Sequence, residues 1–133
     1  MNPLPPAAAR DFDRAGGEAV LRPVVDRFVR RMAGDFVIGF FFAGLDLDRI
    51  IAHEYEHAAI ALGAGVPYTG RPIASTHRAL KINAGHFRRR LALLRNEIEA
   101  AGIPDDVRDR WLAHQRALEA TITDGSDCAP ERA

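Results

Sequence analysis

The chain has 133 residues, 47% of them hydrophobic, which is enough apolar material for one domain with its own core and excludes wholesale disorder. Its 18 Lys+Arg balance 18 Asp+Glu, so no broad field draws it to nucleic acid or an anionic membrane surface. A lone cysteine, Cys128, excludes an internal disulfide and leaves the cytoplasm as the expected location.

Residues 1–12 read as a flexible lead-in, broken by Pro3, Pro5 and Pro6 and lacking the basic start and apolar run of a signal peptide. No run shows sustained period-two alternation, whereas spacings of three and four recur, so residues 13–123 are expected to form one all-α domain. After Gly16-Gly17, Leu21, Val24, Val25, Phe28, Val29 and Met32 form an apolar stripe ending near Gly34. Pro23 lies early in it, so the helix is expected either to start near Arg22 or to bend there. Gly39-Phe40-Phe41-Phe42-Ala43-Gly44 is too short for an amphipathic helix and too apolar for an exposed loop; a buried corner is expected. The apolar run around it, Phe36 to Leu45, is about half the roughly 20 residues that cross a bilayer, so no membrane span is expected.

Asp46 or Asp48 is suited to cap a helix running to about Leu62, where Gly63-Ala64-Gly65-Val66-Pro67 stops it. A loop through Tyr68 and Arg71 leads to a short helix over Ile73 to Leu80. Phe87, Leu91, Leu94 and Ile98 mark the next helix, and Val107, Trp111, Leu118 and Ile122 a single last one opened by Pro104-Asp105-Asp106. Residues 124–133 read as a flexible polar tail.

The most prominent short motif is His53-Glu54-Tyr55-Glu56-His57, which satisfies H-E-x-x-H. On a helix, two histidines four apart share a face and can hold zinc beside a glutamate that deprotonates water, the arrangement of a small metallopeptidase. A clear third ligand and a substrate-binding strand are both missing from the pattern.

A second reading uses the whole chain. Gly16-Gly17-Glu18-Ala19-Val20, Val24-Val25-Asp26-Arg27-Phe28, Phe41-Phe42-Ala43-Gly44, Tyr68-Thr69-Gly70-Arg71-Pro72, His77-Arg78-Ala79-Leu80-Lys81-Ile82 and His86-Phe87 occur in order over about Phe12 to Ile122. In order and spacing the chain resembles the truncated haemoglobins, small two-over-two helical globins, most closely the group I subgroup. The resemblance implies haem b, with His77 as the proximal iron ligand. It places Ile73, Ile82 and Phe87 along an apolar haem face, Phe42 on the porphyrin, and Tyr68, Arg71 and Lys81 near the propionates.

On the distal side the chain departs from that subgroup. Val29 stands where a tyrosine usually hydrogen-bonds bound oxygen, and Glu54 replaces a common glutamine. The resemblance turns Ile50, Glu54, His57 and Ala58 inward, with His53 at the rim as a candidate sixth iron ligand. A buried Glu54 needs a partner or a raised pKa; Arg90, in Arg88-Arg89-Arg90, either lies on a solvated helix face and snorkels to the surface, or pairs with Glu54 across the pocket and supplies the hydrogen-bonding groups that the missing tyrosine does not. The implied function is binding of oxygen, nitric oxide or carbon monoxide, with nitric oxide dioxygenation or redox activity as enzymatic outlets. The partners implied are the gas itself and a reductase; the expected assembly is a monomer or weak homodimer. A haem-free interaction module is the third reading.

Overall fold

The computed structural model describes residues 10–70 and 81–123, and no strand occurs among them. The helices are α1 (Asp11–Arg14), α2 (Glu18–Ala33), α3 (Leu47–Ala61), α4 (Ala84–Ala100), α5 (Asp105–Ala117) and α6 (Glu119–Ile122), with a 3₁₀ turn over Gly39–Phe42 between α2 and α3. α2 packs on α3 and α4 on α5, and α2–α4 and α3–α5 contacts join the two layers. This is an all-α, two-over-two helical sandwich.

α2 buries Leu21, Val24, Val25, Phe28, Val29 and Met32, the whole of the expected stripe. It starts at Glu18 rather than near Arg22, with Pro23 inside the helix on an exposed position. A proline inside a helix costs about 3 kcal/mol, which the complete burial of Leu21 together with the rest of the stripe offsets. The turn ahead of α2 requires glycine: Gly16 has φ 111°, and a Cβ there would lie 2.3 Å from Val20 Cγ2. Helical chain begins at Asp11, inside the lead-in expected over residues 1–12. Phe12 N–H donates to Leu62 O at 2.9 Å, and the Arg110 guanidinium grips Asp11 at 2.7 Å.

The corner between α2 and α3 is only partly buried, contrary to expectation. Successive residues of a 3₁₀ turn point about 120° apart, so Phe40, Phe41 and Phe42 cannot all face one core. Phe41 and Phe42 pack against it, while Phe40 is 63% exposed. Asp35 fixes the corner: its carboxylate accepts from Val37 N–H at 2.9 Å and Ile38 N–H at 3.2 Å, and Arg89 on α4 grips it at 2.6 Å. The Arg89 hydrogen bond, helped by those two amides, holds the Asp35 carboxyl down from 3.8 to about 2. A depressed carboxylate contributes stability that is complete above its unfolded pKa and is lost as pH falls through the folded one. Asp35→Asn should therefore flatten the fall in stability between about pH 4 and pH 2, read by urea unfolding at pH 5, 3 and 2.

The remaining boundaries follow local chemistry. Asp46 caps α3 by accepting from Arg49 N–H at 3.3 Å. Asn83 and His86 form a reciprocal capping box at the start of α4. Glu97, buried on α4, is held by Arg27 and Arg31 of α2 at 3.0 and 2.9 Å. The single last helix expected from Pro104 onward is instead two, α5 and α6, meeting at Leu118.

Candidate functional site

The capped α3 and the stripe of α2 bring Glu54 against Arg90 of α4. Arg90 Nη1 and Nη2 donate to the two Glu54 oxygens at 2.8 and 2.9 Å, a bidentate pair across the end of the guanidinium. Along its side, Nε and Nη2 donate to Gln115 Oε1 of α5 at 3.1 and 2.8 Å. The last Nη1 proton is directed at Met32 Sδ, 3.7 Å away. An arginine has five N–H groups, and each has an acceptor here. The cation also lies 5.0 Å from the centre of the Phe28 ring. The arginine and glutamate side chains are 15% and 22% exposed, so a partner, rather than a neutral carboxyl, answers the burial of Glu54.

Of the two positions open to Arg90, the pairing with Glu54 is the one present, and it leaves Arg90 no spare donor to replace the missing tyrosine. Val29, fully buried beside Phe28, supplies none either. The motif H-E-x-x-H loses its general base for the same reason, because Glu54 is committed to Arg90. No group of three His, Cys, Asp or Glu suited to a metal occurs among the described residues. His53 and His57 each lie 6.0 Å, ring centre to ring centre, from Tyr68, which stands against both.

Glu56 places Tyr68 there, since its carboxylate accepts from Thr69 N–H at 2.7 Å and from the Thr69 hydroxyl at 2.8 Å. The Thr69 amide lowers the Glu56 pKa. Burial, followed by the charges of Glu54 and Glu56, raises that of the Tyr68 phenol. On the far side of His57 is His114, with ring centres 5.6 Å apart.

Ile50, on the same helix as Glu54, is half-buried, as are Phe42 and Ile82; Phe87 is fully buried and Lys81 exposed with a left-handed φ of 55°. Arg71, Ile73 and His77, with the helix expected over Ile73 to Leu80, lie outside the described residues. The residues present fit a haem by their chemistry. Imidazoles on α3 suit iron, and Phe42, Ile50 and Leu91 offer apolar surface that the core leaves partly open. Gln115, 2% exposed, is the site residue that the sequence reading missed.

The bacterial-like globin family profile matches residues 11–124. The group 1 truncated haemoglobin GlbN of Mycolicibacterium paratuberculosis is 32% identical over 86% of this chain and 84% of its own. That of Synechocystis is 29% identical over 72% and 81%. Among solved structures, the truncated haemoglobin of Tetrahymena pyriformis superposes with a TM-score of 0.81 over 88% of this chain and 99% of its own, at 19% identity. The group II protein of Bacillus anthracis reaches 0.79 over 98% and 99%, at 16% identity.

Proposed function

The chain belongs to the bacterial-like globin family, whose cofactor is haem, and from that premise we propose that it binds a diatomic gas at a haem held by His77, with α3 covering the opposite face. Haem would supply the iron that binds the gas. Everything else is set by side chains. His77 is the proximal ligand, Phe42 packs on the porphyrin, and Ile73, Ile82 and Phe87 line the apolar face. Tyr68, Arg71 and Lys81 serve the propionates. His53, at the rim beside Tyr68, is the sixth ligand when no gas is present.

The observation that carries the choice of gas is the distal wall of Val29, Glu54 and Arg90, which is polar but holds no spare arginine donor. A hydrogen bond to oxygen in a buried pocket is worth about 1–3 kcal/mol, so its loss speeds oxygen release up to about a hundredfold. Stable oxygen carriage is disfavoured relative to nitric oxide chemistry, redox transfer through a reductase, or sensing. No helix among the described residues is long and apolar enough to cross a membrane. The proposed setting is the cytoplasm, as a monomer or weak homodimer.

The test is an ultraviolet-visible spectrum of protein loaded with haemin, ferric and then dithionite-reduced, with metal analysis of the same sample. A Soret band at about one haem per chain with sharp, split visible bands after reduction supports haem binding with two histidines on the iron. A broad single visible band keeps the haem and removes His53 as sixth ligand. A colourless protein overturns the reading in favour of a haem-free module.

A further inference from the structure

We propose that Arg90 is a masked cation: Glu54 covers the end of its guanidinium, Gln115 anchors its side, and together they deny the pocket the arginine's N–H groups and so weight its preference against oxygen. Glu54 is then the specificity-determining residue and Gln115 a positioning residue. The inference rests on the haem reading for its ligand but not for its geometry.

Three observations carry it. First, five N–H groups meet five acceptor contacts supplied by α2, α3 and α5, so a gas can receive a hydrogen bond from Arg90 only if one of these is given up. Second, the clamp is built rather than fortuitous. Gln115 is 2% exposed, and its carbonyl oxygen takes two of the five protons, while Phe28 lies under the guanidinium. Third, the masking group is itself unable to help oxygen. An ionised Glu54 only accepts hydrogen bonds, and its charge opposes the negative charge that oxygen, more than carbon monoxide, draws from iron. A carboxylate that both fills the arginine's best donor edge and faces a partly anionic ligand works against oxygen twice.

Two measurements test this. The first needs no haem: the Arg90 Nε–H resonance, followed by ¹⁵N NMR. In the wild-type chain it should exchange slowly with water, at least about tenfold faster in Gln115→Leu, and again slowly in Gln115→Glu, which keeps the acceptor. A fast-exchanging Nε–H in the wild type, or one equally slow in Gln115→Leu, overturns the clamp. The second uses haem-loaded protein and compares oxygen with carbon monoxide dissociation. Glu54→Ala uncovers the end of Arg90 and should slow oxygen release about tenfold relative to carbon monoxide, with a lowered C–O stretching frequency from the added positive field. Glu54→Leu, which also removes both acceptors and brings no N–H of its own, should show a shift in the same direction and serves if the alanine variant does not fold. Unchanged or faster oxygen release in both variants, or faster release in Arg90→Met, shows that Arg90 was never masked. If the wild-type chain holds no haem, the haem reading fails, while the NMR arm still decides the clamp.

Discussion

Replacing His77 by alanine should reduce retained haem from about one per chain to none after gel filtration, whereas His53→Ala should keep the haem and change only its spectrum. The asymmetry follows from what else holds each imidazole. An axial imidazole on the proximal side is the bond that fixes haem in a globin, and His77 is the residue that the family pattern puts there. The imidazoles of α3 are already placed by other contacts, since His53 and His57 flank Tyr68. Haem retention and absorbance with free imidazole added back decide it. Restoration in His77→Ala supports an axial role; undiminished retention without imidazole removes His77 from the iron.

Arg90→Leu is the second large effect, and it concerns the fold as much as the ligand. Removing one partner from a largely buried ion pair strands the other charge, at a cost of about 3 kcal/mol for a pair with this much residual exposure. Here Gln115 also loses its two donors. Replacing Glu54 together with Arg90 by leucine removes both charges, so the double variant should recover the part of the loss due to the stranded Glu54 charge, while the cost of the unpaired Gln115 oxygen stays. Urea unfolding of the two single variants and the double gives the coupling directly. Additive losses would mean that the two groups do not interact in solution.

Much of this was legible in the sequence because it depends on local periodicity. The six buried residues of α2, the Asp46 cap and the inward Glu54 all follow from spacing or from the family pattern, and the need of a buried carboxylate for a cation pointed to Arg90. The three-phenylalanine corner was misread because burial was inferred from composition, whereas the 3₁₀ geometry turns Phe40 outward. Gln115 left a signal that could have been used. It stands four residues after Trp111, itself four after Val107, so it is a polar group on an apolar stripe and implies a buried partner. The saturation of Arg90 could not be read at all, since it arises only where α2, α3 and α5 converge on one side chain of α4. Arg71, Ile73 and His77 rest on the family pattern alone.

Two ion pairs tie α1 to α5. Arg110 holds Asp11 across 99 residues of sequence, and Arg14 holds Asp106 across 92. Because each couples segments so far apart along the chain, neither exists unless α1 and α5 are packed together. Being largely exposed, they are also weakened by salt. Raising the salt concentration therefore loosens the hold of α5 on α1 and leaves Leu21 and the rest of the buried α2 stripe untouched.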